Sequence, residues 1–459
     1  MKFIYSSVLI LLLSACASTK KEASTSLPMV ESNASQLASK AARYPKDTVA
    51  LTQLAALHLQ QYEANKNLYY INQVIASHDE LLKRQPANHD VLLQFYRLNL
   101  FKGLATLHYD IAHWQAFYQQ QPFLQTIDIA PPSYMELLLA PQDSLSNNDR
   151  ISILKNTLAE NPYFVNGYLA LTAMYAAREK MQLSSFLLET ANKHMPNNLE
   201  ILAPLNEFRV EGLFDKLCER DASVELNQAF EDYKLLVKSA PENADYHMQL
   251  STVLRLMGRM RMSSFSAKKA VSISPRFQSA LAEAQFWTGN DKTVTEYLST
   301  KAIASLNTND LYLAIFSNVM SFNWQQVATL MEEYVTRNDI SFYGILYGAH
   351  AYKMLGQEDL ATQITVTGLN KITLKPWHQQ MLNFANQQIT NEQLMAASQN
   401  KCDQSEAYFI QGLKAVQEGK TAAFEQHMAS IVDLKIYSFY EYAGAKNIVK
   451  KITIAASKS

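Results

Sequence analysis

Apolar positions with a helical period run through most of this chain, and the pattern stops at prolines. Between Pro162 and Pro196, 34 residues apart, Tyr168, Leu171, Thr172 and Tyr175 share one face at i, i+3, i+4 and i+7. A second stripe of Ser184, Leu188 and Ala191 follows, and the chain breaks at Met195-Pro196-Asn197. Pro241 and Pro275 enclose the same arrangement: His247, Leu250, Ser251 and Leu254, a turn at Gly258, then Ser263 and Ala270. Further copies surround Leu92-Phe95-Tyr96 after Pro86, Tyr343-Tyr347-Gly348 before Leu355-Gly356-Gln357, and Ser405 to Gly412 before Glu418-Gly419-Lys420. The stretch 197–240 is too long for one copy and predicts an insertion or a longer helix. From Phe123 to Asp149 the period lapses at Pro131-Pro132 and Pro141, which predicts an irregular connection.

Each helical hairpin has an apolar side that only a neighbouring hairpin can cover, so such units stack. The spacing resembles the tetratricopeptide pattern, with bulky residues on the first helix and small ones where the second crosses it. That resemblance implies an all-α helical-repeat superhelix, or α-solenoid, with a concave groove lined by the first helices. Groove candidates are Asn166, Leu169 and Ala173 in one copy, Met248, Thr252 and Arg255 in the next, and Phe409 and Leu413 in the last. The expected organisation is a leader over 1–15, a flexible tether over 16–40 and an N-terminal repeat block over 41–122. An irregular connection over 123–150, a main array over 151–450 and a tail over 451–459 complete it.

The leader is read from Met1-Lys2, the apolar run Val8 to Leu13, and Leu13-Ser14-Ala15-Cys16. The run is shorter than the roughly 20 residues a membrane-spanning helix needs. This segment resembles the lipobox of bacterial lipoproteins, which implies lipid attachment at Cys16. Ala17, where such proteins carry aspartate when retained at the inner membrane, implies the outer membrane, with the body facing the periplasm. Residues 18–39 are rich in Ser, Lys, Glu and Ala and predict an unfolded spacer.

Residues 402–449 resemble the closing repeat of NlpI-type lipoproteins, through Glu406-Ala407-Tyr408-Phe409, Gly412, Gly419-Lys420, Ala423-Phe424 and Tyr440-Glu441-Tyr442. The resemblance implies a Tyr/Glu-rich capping helix and an adaptor that docks envelope proteins.

Composition agrees with continuous helix: 12 Gly and 13 Pro in 459 residues fall well below average usage of about 12%. A formal net charge of -1 gives no reason to expect nucleic acid as a partner. The 24 Tyr and 20 Phe recur at packing positions and read as core. Cys218 and Cys402 lie far apart in sequence and are expected to be separate buried thiols. No zinc, phosphate-loop or nucleophile-elbow motif is present. His108, Asp110 and His113 do not converge on one helical face, no histidine partner is evident for Cys402, and no cofactor is expected. No acid interrupts Asp245 to Glu283, while Arg255, Arg259, Arg261, Lys268, Lys269 and Arg276 fall inside it, a basic strip that an acidic partner would suit. The expectation is a lipid-anchored periplasmic scaffold that binds envelope proteins through its groove, not an enzyme, with the oligomeric state left open. Alternatives are an envelope enzyme with its site in 123–149 or 197–240, and a glycan- or lipid-binding module using the basic strip.

Overall fold

The computed structural model describes residues 27–141 and 144–456, and every regular element among them is helical. The leader and Cys16 lie outside the described residues. The chain divides into two compact units at 201/202, inside what the apolar pattern marks as one array.

The N-terminal unit carries α1 (Leu27–Arg43), α2 (Val49–Asn65), α3 (Leu68–Arg84), α4 (His89–Thr106), α5 (Ile111–Gln119), α6 (Tyr134–Leu139), α7 (Asn147–Glu160), α8 (Val165–Ala176) and α9 (Met181–His194). Part of the expected tether is therefore helix: in α1, Leu37 and Ala41 pack against Ala50, Leu51 and Leu81 of the first hairpin. Two well-spaced apolar residues suffice to dock a segment whose composition alone reads as solvated.

The irregular connection has a structural job. A 3-10 turn (Pro122–Thr126) leads into strandless backbone whose carbonyls at Ile127 and Ile129 accept from the buried Asn161 Nδ2, at 3.0 and 2.8 Å. Asp128 Oδ1 accepts from Val165 N at 3.0 Å, supplying α8 with the cap that its own N-cap residue, Phe164, lacks. Leu124, Ile129 and Met135 join Leu92, Tyr96, Leu100 and Tyr118 in one core. Loop carbonyls can be buried here because each has a donor.

The C-terminal unit carries α10 (Leu199–Glu219), which begins just before the division, then α11 (Ser223–Ser239), α12 (Ala244–Leu256), α13 (Met260–Ile273), α14 (Gln278–Trp287), α15 (Asp291–Ser299) and α16 (Thr308–Met320). It continues with α17 (Trp324–Tyr334), α18 (Phe342–Met354), α19 (Glu358–Leu369), α20 (Pro376–Ala385), α21 (Asn391–Ala397), α22 (Lys401–Gln417), α23 (Thr421–Leu434) and α24 (Tyr440–Ala456). The stretch 197–240 is the long pair α10 and α11, of 21 and 17 residues. Side-chain caps from Asn88, Asn198 and Asn243, each two residues after a proline, start α4, α10 and α12. Where paired helices cross, Ser184 Oγ donates to Thr172 O at 3.1 Å and Ser251 Oγ to Ser263 O at 2.8 Å, so small residues permit the close approach read from sequence.

Cys218 of α10 and Cys402 of α22 form a disulfide, with Cα atoms 5.1 Å apart and 184 residues between them. This corrects the expectation of two separate thiols. Stacked pairs need not run away from their start: within this unit the first pair meets the next-to-last helices, a closure that sequence distance conceals. Disulfides typically stabilise by roughly 2–4 kcal/mol. Cys218→Ala with Cys402→Ala is expected to lower the melting temperature of the C-terminal unit by at least several degrees, read by calorimetry with and without reductant. Equal melting of the oxidised parent and the double variant would contradict the staple.

Candidate functional site

Stacked pairs offer partners the face built from their first helices. In the C-terminal unit the chain's own last segment occupies that face, with α24 against α14, α16 and α22. After a left-handed residue at Lys435, Tyr437 reaches the turn between α12 and α13. A Cβ at Gly258, where φ is +73°, would lie 2.9 Å from the Tyr437 ring, so glycine is required twice over. The Tyr437 carbonyl accepts from Trp287 Nε1 at 2.8 Å. The Tyr440 ring meets Trp287, Tyr312 and Phe316 with centroids 4.6, 5.1 and 5.6 Å apart. Asn447 Nδ2 donates to Phe286 O at 3.4 Å.

Two carboxyls are buried at this seam, Glu441 on α24 itself and Glu406 on α22. Glu441 accepts from the Tyr347 hydroxyl, and both residues are buried. Glu406 accepts from Tyr343 Oη at 2.8 Å and Trp377 Nε1 at 2.6 Å. Burial, with the Glu441 charge nearby, pushes the Glu406 carboxyl up to about 8; burial raises Glu441 as well. Perturbed acids often mark active sites, but these are sealed, hydrogen-bonded and filled over by Tyr and Trp side chains. Their role is structural.

The groove candidates therefore divide. Phe409 is 1% exposed and packs against Phe316 and Tyr347, with centroids 5.3 and 5.2 Å away; it is core, not groove. Leu413, 3% exposed, lies in the floor of a cavity rather than on an open face. Met248 and Thr252 are half-buried, and Arg255 donates to Glu283 at 2.6 Å while stacking on Trp287 at 4.6 Å. Asn166, Leu169 and Ala173 belong to the N-terminal unit, where Asn166 and Ala173 are exposed and Leu169 is half-buried. What sequence reasoning missed is the occupant. Five successive positions, Glu441 to Ala445, are buried in the structure, so this stretch of α24 is covered on every side.

The cavity, of about 680 Å³, is lined by residues of α18, α19, α20 and α22, among them Leu346, His350, Lys353, Phe384, Leu413 and Lys414. It opens where the pair α20 and α21 is short, 10 and 7 residues, so that α18 and α19 lack a full-length neighbour. Lys353 Nζ donates to Ala385 O at 2.9 Å, and the Lys414 ammonium stands over the Phe384 ring at 4.8 Å. His350 Nε2 is buried without a hydrogen-bond partner, and burial followed by the Lys353 charge pulls its pKa down to about 4. The imidazole is thus neutral at physiological pH. The size lies in the range of ordinary ligand sites.

The basic strip is partly neutralised. Besides Arg255, Arg276 pairs with Asp245 and Lys269 stands 3.8 Å from Glu242, while Arg259 stacks on Phe230 at 4.9 Å. Arg261 and Lys268 have no acidic partner among the described residues. Asp110 caps α5 by accepting from His113 N at 3.0 Å. Among the described residues no group of three His, Cys, Asp or Glu is placed to hold a metal ion, and no helix is long and apolar enough to cross a membrane.

No family model matches the chain, and no curated protein does. Several solved structures are similar to it. A tetratricopeptide repeat protein from Parabacteroides merdae aligns over 68% of this chain and 95% of its own at 11% identity and a TM-score of 0.29. The P58(IPK) TPR domain covers 97% and 98% at 11% identity and 0.28. The APC/C hetero-tetramer Cut9-Hcn1 covers 87% and 76% at 10% identity and 0.38. The helices themselves show an all-α fold of stacked pairs; likeness of this extent assigns no activity.

The raised carboxyl makes the C-terminal unit pH-sensitive. A carboxyl whose folded pKa exceeds its unfolded value stabilises fully below the unfolded value, here about 4.5, and loses that contribution as pH rises through about 8. Melting temperature is expected to fall between pH 5 and pH 9, and Glu406→Gln to flatten the fall while leaving the unit folded. Parallel pH profiles for parent and variant would show that Glu406 does not carry the effect.

Proposed function

We propose that this chain is an exported, lipid-tethered scaffold that holds protein partners at the bacterial envelope, and that the cavity between α18, α19, α20 and α22 is its principal docking point. The observation that carries the docking point is the cavity itself. On the neighbouring surface α24 is already seated, whereas here the largely buried Leu346, Leu382 and Leu413 line the floor of an open cavity beneath the rim residues Thr362 and Val366. An apolar anchor from a partner's helix or extended segment fits such a floor, with polar rim groups fixing its direction.

The disulfide supports the compartment. Such bonds form and persist in oxidising surroundings such as the periplasm and are rare in the cytosol. The leader and Cys16 supply the tether in this reading, with Ala17 favouring the outer membrane. The two stretches offered as hidden active sites are accounted for by packing: 197–240 is a long helix pair, and the 123–149 segment caps α8 and fills the first core.

A photo-crosslinking side chain at Val366, in cells expressing the tethered chain, is expected to capture one or a few envelope proteins in the membrane fraction. Thr362→Trp, which fills the rim without touching the core, should abolish capture, and Cys16→Ala should move the captured material out of that fraction. Unchanged capture by the filled variant would remove the cavity from the account; unchanged fractionation of Cys16→Ala would remove the tether.

A further inference from the structure

The second helices of two pairs share a short sequence: Met181-Gln182-Leu183-Ser184-Ser185-Phe186 in α9 and Met260-Arg261-Met262-Ser263-Ser264-Phe265 in α13. In both, the first serine is buried against the partner helix, Ser184 on Thr172 and Ser263 on Ser251. A residue two positions on lies about 200° round the helix, so the phenylalanine is turned to solvent. Phe265 is 76% exposed and Met262 51%. Both are large apolar side chains that take no part in the core of their unit.

Their surroundings on α13 decide the partner. Arg261, Met262, Phe265, Lys268 and Ser272 are the exposed positions of this helix and fall on one face. No acid occurs anywhere on α13. The acids that neutralise the rest of the strip, Glu283, Asp245 and Glu242, are engaged by Arg255, Arg276 and Lys269. Arg261 and Lys268 remain beside Phe265. In α9 the equivalent apolar pair sits instead on a face with Glu189 and Lys193, of opposite sign.

We propose that the exposed face of α13 is an interfacial contact for anionic lipid, with Phe265 and Met262 entering the headgroup boundary and Arg261 and Lys268 meeting lipid phosphates. A solvent-facing apolar pair flanked by unpaired cations is the chemistry that rests on an anionic bilayer surface. The inference stands apart from partner recruitment, because it concerns a different helix and a lipid ligand.

The test uses the full chain carrying Cys16→Ser, so that lipidation plays no part, with an environment-sensitive fluorophore on Ser272→Cys to report this face alone. Vesicles of phosphatidylglycerol with phosphatidylcholine are expected to shift the probe to an apolar emission, and phosphatidylcholine alone to leave it unshifted. Phe265→Ser should weaken the response about tenfold and Arg261→Glu with Lys268→Glu by more, since each cation near the surface contributes about fivefold. Phe186→Ser in α9 should leave it intact. These positions are exposed, so an unchanged circular dichroism melt accompanies each variant. An unshifted probe with both vesicle types, an equal shift with neutral lipid, or a response indifferent to Phe265 would overturn the proposal; an unshifted probe on lipid that shifts on adding a soluble envelope protein would show a protein contact in its place.

Discussion

The C-terminal unit is organised by one insertion: its last helix lies on the face that its first helices would otherwise present. Burying an aromatic or isoleucine side chain stabilises by roughly 1.5–3 kcal/mol, and Tyr442 and Ile448 are buried along with the small Ala443 and Ala445. The ring contacts of Tyr440 with Trp287, Tyr312 and Phe316 add to this. Because the helix is joined to its site by a short turn, a free peptide competes against a high local concentration as well. The segment is thus part of the fold, not a gate.

That constraint explains features that look unrelated. Glu406 of α22 and Glu441 of the inserted helix can be buried because Tyr343, Trp377 and Tyr347 complete their hydrogen bonds. Gly258 and Gly289 take positive φ at turns where Tyr437 and Asn447 press against the backbone. The disulfide ties α10 to α22, so that the pairs bracketing the insertion are held from both ends. An open surface remains where the short pair α20 and α21 fails to cover its neighbours, and on the outward side of α13.

Much of the architecture was legible because it is local. The 34-residue spacings, the buried serines of the second helices and the left-handed glycine turns all follow from neighbours within one hairpin. The purpose of the irregular 123–149 segment depends on Asn161 and Asp128, whose partners lie more than 30 residues away. Three readings failed for one reason. Phe409 taken as groove, Cys218 and Cys402 taken as separate thiols, and the docked end of the tether taken as coil all turn on which distant segment covers which face. An apolar stripe says that something covers it, not what. That the closing helix is enclosed shows only in the structure, where Glu441 to Ala445 are five successive buried positions.

The insertion is tested most directly by native-state hydrogen exchange at the amides of Ala443 to Ile452. A helix seated on α14, α16 and α22 exchanges only when the C-terminal unit unfolds, so these amides should share the protection of the α16 core and lose it together with α16 as denaturant is added. Exchange that is fast at neutral pH and independent of α16 would contradict the account and return the face to open groove.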